Sequence, residues 1–174
     1  MLKNSEINMA LITLEDAKAL NRLIISNIAY FQRYFPLTVA SNLTLKDSIH
    51  FIETISEDII QKKQLLYTIK IRSELIGLVY LKELDWETKQ GEFAYCLAEN
   101  FNGQGIISNA VKHLSFVAFN NLKLETLIII AHKTNSGSIK VAEKCGFTHI
   151  KTLKKEFTPT GENPLDMELY ELKK

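Results

Sequence analysis

The stretch Phe101-Asn-Gly-Gln-Gly-Ile-Ile-Ser108 decides how this chain reads. It follows an apolar run, residues 91–97, with the character of a strand. It leads into residues 105–121, where Ile106, Ala110, Leu114, Val117 and Ala118 recur at helical spacing. A helix N-terminus carries unpaired N–H groups and a partial positive charge. Gly103 and Gly105 let the backbone approach a ligand closely and adopt torsions closed to other residues. Such a loop suits phosphate oxygens. A plain strand-to-helix turn could carry the same two glycines, so the stretch alone is compatible with both readings.

Outward from this loop, the chain alternates strand and helix signals. Residues 7–12 read as a first strand. Thr13 and Asp16 mark a helix start that resembles a capping box with Asp in place of Glu, and Thr44-Leu-Lys-Asp47 offers a second helix start. Ala17, Leu20, Leu23 and Ile24 line one helix, and Ile49, Ile52, Ile55, Ile59 and Ile60 line the next. Between them, residues 30–36 break the pattern. Residues 65–71 and 75–81 flank a hairpin turn at Arg72-Ser73-Glu74. Residues 124–131 form a β-branched run suited to a buried central strand. A short helix over 135–145 stops at Gly146. Two closing strands, 147–157 and 164–172, are joined by a turn at 158–161. The order β-α-α-β-β-β-α-β-α-β-β predicts an α/β (α+β) architecture. About seven strands form one mixed, mostly antiparallel sheet, flanked by about four helices. With only seven Gly and three Pro in 174 residues, no linker divides the chain, and a single domain over 1–174 is expected.

The totals exclude several classes. Twenty-one Lys and Arg against 20 Asp and Glu leave a formal charge of +1, so electrostatics favour neither nucleic acid nor membrane as main partner. No apolar stretch is long enough to span a bilayer and no signal peptide is seen, so a cytoplasmic location is the default. Cys96 and Cys145 form no CxxC pair, and the four His are not spaced as metal ligands, so no metal is expected. The loop lacks the third glycine of a dinucleotide fingerprint, since position 108 is Ser. The Gly-Lys-Ser/Thr triplet of an ATP-binding P-loop is also missing.

The segment Asn102-Gly-Gln-Gly-Ile-Ile107 resembles the acyl-CoA signature Gln/Arg-x-x-Gly-x-Gly/Ala of the GCN5-related N-acetyltransferases (GNAT). Asn102 and Ile107 depart from it. Within the family the chain is similar to the RimJ/RimL type, closest to the ribosomal-protein-serine-acetylating subgroup. That subgroup tolerates a large apolar residue at 107, within a similar F-x-G-Q-G-I-x-S run. Upstream, Gly91-Glu-Phe-Ala-Tyr-Cys-Leu97 resembles A-E-I-G-Y-W-L. Downstream, Asn135 to Phe147 resembles N-x-x-S-x-x-x-x-x-x-x-G-F. All three motifs keep the family's order.

The resemblance implies an acetyl-CoA cosubstrate held by Tyr95, Cys96, Leu97, Asn102, Gly103, Gln104, Gly105, Ile106, Ile107, Ser108, Asn135 and Ser138. Many relatives carry a Tyr four residues after the Ser138 position, but here it is Ala142, which moves the general-acid role to Ser138. Asn135 by itself also reads as a helix cap. Glu156 and Glu92 are the candidate bases, Glu156 first, after a one-residue shift onto the subgroup's A-E-Y. By residue type alone Glu92 reads as an outward polar residue of an alternating strand. His132 is a reserve base, and His113 reads as surface. Asn27, Tyr30, Phe31 and Tyr34 are candidates for the acceptor side, with at least half of the aromatics expected in the core. The implied reaction is direct acetyl transfer to a primary amine, most favourably a protein N-terminal α-amino group (a ribosomal protein starting in Ser or Ala). The alternatives are a small amine such as a polyamine or amino sugar, or a CoA-binding module without catalysis. A homodimer is compatible with the sequence.

Overall fold

The computed structural model describes residues 7–159 and 161–174. Seven strands form one mixed sheet in the order β1-β2-β3-β4-β5-β7-β6. They are β1 Ile7–Leu11, β2 Leu65–Ile71, β3 Glu74–Asp85, β4 Gln90–Leu97, β5 Thr126–His132, β6 Thr148–Phe157 and β7 Leu165–Lys173. Among the described residues, six α-helices accompany them: α1 Ala17–Ser26, α2 Ile28–Phe31, α3 Pro36–Ala40, α4 Leu45–Ile60, α5 Ile106–Asn120 and α6 Ser136–Lys144. The seven strands and four longer helices match the expected architecture. The additions, α2 and α3, overlap the two ends of the expected break at 30–36: Asn27 leaves helical torsions at φ −129° and ψ 20°, and Pro36 starts α3.

The chain divides into two compact units. The first comprises the described residues up to Tyr80 together with Tyr95–Gln104, and the second Leu81–Ala94 together with Gly105–Lys174.

In the first unit, β1 pairs antiparallel with β2 from Ile7↔Ile71 to Leu11↔Tyr67. Both predicted helix starts form. The Thr13 N–H donates to Asp16 Oδ2 at 2.9 Å, ahead of a short 3-10 turn and then α1. At α4, the Thr44 N–H donates to Asp47 Oδ2 and the Asp47 N–H donates to Thr44 Oγ1, at 2.9 and 3.1 Å. Helix α1 buries the predicted Ala17, Leu20, Leu23 and Ile24. On α4, Ile52 and Ile55 are buried, whereas Ile49 and Ile60 are 39% and 80% exposed.

In the second unit, β5 is paired on both sides. It runs parallel to β4 from Gln90↔Thr126 to Phe93↔Ile129, and antiparallel to β7 over its whole length. Burial on both faces explains its apolar run: Leu127, Ile128 and Ile129 are buried. Helix α5 buries Ile106, Ile107, Ala110, Val111, Leu114 and Ala118. The Phe93 and Phe147 rings meet edge to face with centroids 6.5 Å apart.

Candidate active site

β4 carries the chain into the cofactor loop, whose base is fixed within the first unit by a chain of hydrogen bonds. The Ala98 N–H donates to Ile76 O at 2.8 Å. A 3-10 turn follows at Glu99–Phe101. The Glu99 N–H, one of the orphan donors at the start of that turn, donates to Asn27 Oδ1 at 3.2 Å. The Phe101 and Asn102 N–H groups close the turn onto Ala98 O and Glu99 O. The Asn102 Nδ2 donates to Tyr30 Oη at 2.9 Å.

Beyond this base lie the two glycines. Gly103 and Gly105 both adopt φ +76°, the left-handed region that favours glycine. A Cβ at either position would meet no atom within 4 Å. These glycines are therefore not demanded by packing; their torsions leave open space over the backbone.

Gly105 is the N-cap of α5, at the start of the second unit, and no side chain caps that end. The first bond of the helix runs from the Asn109 N–H to Gly105 O, which leaves the N–H groups of the first turn without intrahelical acceptors. Ile106, Ile107 and Ser108 are 3%, 8% and 8% exposed, so their side chains anchor this turn in the core. The bulk of Ile107 points away from the backbone surface that a ligand would use. Uncapped donors, the positive end of α5 and the open space at Gly105 fit the pyrophosphate of coenzyme A.

Asn135 caps α6: its Oδ1 accepts from the Ser138 N–H at 3.2 Å. The cap brings the Asn135 and Ser138 backbones together and leaves Ser138 half-buried. Cys145 donates Sγ–H to Ser108 O at 3.3 Å, tying the end of α6 to the first turn of α5. Burial raises its thiol pKa, with Lys112 acting in the opposite direction. Cys96 is buried more deeply, at 6% exposure, and burial pushes its thiol up to about 12. A thiol with so little thiolate at neutral pH is no nucleophile.

The two candidate bases differ in surroundings. Glu92 Oε1 accepts from Lys82 Nζ at 2.8 Å, with its side chain 14% exposed. Glu156 is exposed on β6, within a bulge. The register steps from Leu153↔Met167 to Phe157↔Leu165, so three residues, Lys154, Lys155 and Glu156, oppose Asp166. Asp166 fixes the bulge by accepting from Lys154 Nζ at 2.7 Å and from the Lys155 N–H at 3.0 Å, and Lys155 turns to φ +54°.

His132 is buried, and its Nδ1 lies 2.7 Å from Thr134 Oγ1 and accepts from the Thr134 N–H at 3.3 Å. His113 is exposed on α5. On the acceptor side, Phe31 is 2% exposed and belongs to the core, Tyr30 is 47% exposed, and Asn27 and Tyr34 are half-buried. Sequence reasoning gave Asn27 and Tyr30 no part in holding the loop, because both bonds link segments 72 positions apart. A cleft of about 760 Å³ adjoins the loop base, lined among others by Arg22, Asn27, Glu74, Glu99 and Phe101. Among the described residues, no cluster of three or more His, Cys, Asp or Glu could hold a metal ion, and no helix is long and apolar enough to cross a membrane.

Comparison with known proteins agrees with this geometry. Residues 7–148 match the family model described as an acetyltransferase (GNAT) domain. YdaF of Bacillus subtilis (strain 168), named as a proposed ribosomal N-acetyltransferase, is 32% identical over 148 residues, covering 83% of this chain and 79% of YdaF. Among solved structures, the microcin C7 self-immunity acetyltransferase MccE in complex with acetyl-CoA and AMP superposes with a TM-score of 0.88. It is 28% identical, over 98% of this chain and 94% of that one. RimL, a ribosomal L7/L12 α-N-protein acetyltransferase solved with coenzyme A, superposes with a TM-score of 0.90 at 20% identity, over 98% and 95% of the two chains, and so supports the fold alone.

Proposed function

The chain belongs to the GNAT acetyltransferase family and is an N-acetyltransferase with acetyl-CoA as donor; from that premise we propose that its acceptor is the N-terminal α-amino group of a protein, with ribosomal proteins starting in Ser or Ala as the natural class. The observation that carries this reading is the similarity to YdaF over 83% of the chain, since that name points to ribosomal N-acetylation. We also take residues 1–174 to act as one catalytic domain, because the family match runs through both compact units.

The chemistry is direct transfer. The neutral amine attacks the thioester carbonyl carbon, the new N–C bond forms, the C–S bond breaks, and the nitrogen sheds one proton while the thiolate takes one up. An α-amino group with a pKa of about 7.7–8.0 is roughly one-third neutral at pH 7.5, against about one in a thousand for a lysine near 10.4. A modest base acting through water is then sufficient. Glu156 fills that role better than Glu92, whose carboxylate is engaged by Lys82. Backbone N–H groups of Tyr95–Leu97, past the β4 residues that pair with β5, polarise the carbonyl. Ser138 protonates the leaving thiolate. The pyrophosphate rests on the backbone of residues 102–108, and the ring faces of Tyr30 and Tyr34 flank the acceptor.

The test is a comparison of kcat/KM for peptides beginning in Ser or Ala with those for spermidine and an amino sugar. Peptides are expected to exceed free amines by at least about tenfold. Exclusive use of free amines would reject the proposal, and acetyl-CoA binding with no acceptor acetylated across the panel would favour a regulatory module.

A further inference from the structure

The α1–α2 break touches the cofactor loop at two points, and both contacts use side-chain atoms with little else to do. Asn27 ends α1. Its Nδ2 donates to Leu23 O at 2.9 Å, satisfying a carbonyl left over by the helix, while its Oδ1 accepts the first N–H of the 3-10 turn at Glu99. One amide thus joins the last turn of α1 to the first of the loop. Tyr30, three residues on, presents its ring to solvent and its hydroxyl to Asn102 Nδ2. Its ring leans on buried Phe31, with centroids 5.9 Å apart, which limits where that hydroxyl can go. The two contacts bracket the 3-10 turn, at Glu99 and at Asn102. Immediately after Asn102 the chain enters Gly103 and Gly105, both at φ +76°.

We propose that Asn27 and Tyr30 are positioning residues that hold the Glu99–Asn102 turn in the conformation that binds coenzyme A. The inference rests on the reading of residues 101–108 as the coenzyme A loop. It differs from assigning these two polar groups to the acceptor: the Tyr30 ring remains available to an acceptor, but its hydroxyl is committed to the loop. The physical effect is pre-organisation. A loop that spends part of its time out of the binding conformation lowers apparent affinity by that fraction, and each hydrogen bond restricts that escape.

The experiment is a double-mutant cycle on acetyl-CoA binding, measured by titration calorimetry on the full chain without acceptor. Tyr30→Phe removes one hydroxyl from a side chain that is 47% exposed, so the thermal midpoint should stay within about 2 °C. The dissociation constant should rise about 3- to 10-fold, the range for one ordinary hydrogen bond. Asn102→Ala should weaken binding at least as much, and adding Tyr30→Phe to it should change nothing further. Asn27→Leu should weaken binding by a similar factor, with Asn27→Asp restoring part of it through the retained acceptor. The proposal is overturned if Tyr30→Phe leaves the acetyl-CoA dissociation constant unchanged, if its effect multiplies in full with that of Asn102→Ala, or if only the KM for the acceptor moves. A wild-type chain that fails to bind acetyl-CoA at all would instead remove the cofactor reading itself, and this inference with it.

Discussion

Replacing Gly105 by alanine separates what the loop does for the fold from what it does for the ligand. Gly105 sits at φ +76° and ψ 5°, so a Cβ there costs about 1 to 2 kcal/mol of backbone strain. No clash adds to this, because nothing lies within 4 Å of the added carbon. For a chain of this size the loss corresponds to a fall of about 2 to 8 °C in Tm. Gly161, in the turn between β6 and β7, is an internal control: its φ is +77° and its Cβ would also meet nothing within 4 Å. Gly161→Ala should therefore destabilise the chain by the same amount. The two variants should part company on coenzyme A. At Gly105 the methyl group would occupy the open space assigned to the pyrophosphate and should displace a phosphate oxygen from at least one N–H donor. A charge-assisted hydrogen bond contributes about 1.5 to 3 kcal/mol, so the dissociation constant should rise roughly 10- to 100-fold. Calorimetric titration with coenzyme A, paired with thermal melts, reads both quantities. If Gly105→Ala binds coenzyme A as tightly as Gly161→Ala does, the open space at Gly105 is not where the pyrophosphate lies.

Three further outcomes follow from single contacts. Asn135→Ala removes the cap on the Ser138 N–H and should cost about 1 kcal/mol, read as a lower Tm, with Asn135→Asp recovering most of it; equal melting of both variants would contradict the cap. Cys96→Ala should retain acetyl transfer, and the native Cys96 thiol should resist a thiol reagent until the chain unfolds, because burial holds its pKa at about 12; loss of turnover with binding intact would point to a role for the sulfur. The Glu168 carboxyl accepts from Thr152 Oγ1 and lies against His149 Nε2, at 2.8 and 2.7 Å, and these contacts hold it below the usual carboxylate range, Thr152 first. A depressed folded pKa stabilises the chain above the unfolded value of about 4.3, and that contribution is lost as pH falls through the folded pKa. Thr152→Ala should therefore soften the acid limb of the stability curve below about pH 4.3 and raise the Glu168 pKa seen by NMR; an unmoved resonance titration would refute the assignment.

Legibility in the sequence followed the range of the physics. Periodicity and capping are local, so the buried face of α1 and the starts at Thr13 and Thr44 could be read residue by residue. The core strand β5 announced itself by its unbroken apolar run. The helix α4 was less legible at its ends: Ile49 and Ile60 have the right residue type, but they fall off the face that packs. The glycine loop was found as a motif, while the reason for its glycines, positive torsions rather than crowding, needed coordinates. What stayed hidden was non-local. The Lys82 partner of Glu92 depends on a side-chain meeting between β3 and β4, and the bulge that contains Glu156 depends on Asp166 from β7. The bonds from Asn27 and Tyr30 to the loop also had no local signature, since neither residue type is specific for that task.

The proposed acetyl transfer from acetyl-CoA to an N-terminal α-amino group can be read in a single reaction. Its most direct test is one peptide that begins with Ser, carries an internal lysine, and is incubated with the chain and acetyl-CoA before tandem mass spectrometry. A single acetyl group on the α-nitrogen of the first residue is the expected product. An acetyl group on the lysine side chain, or an untouched peptide beside acetylated spermidine in the same reaction, would contradict it.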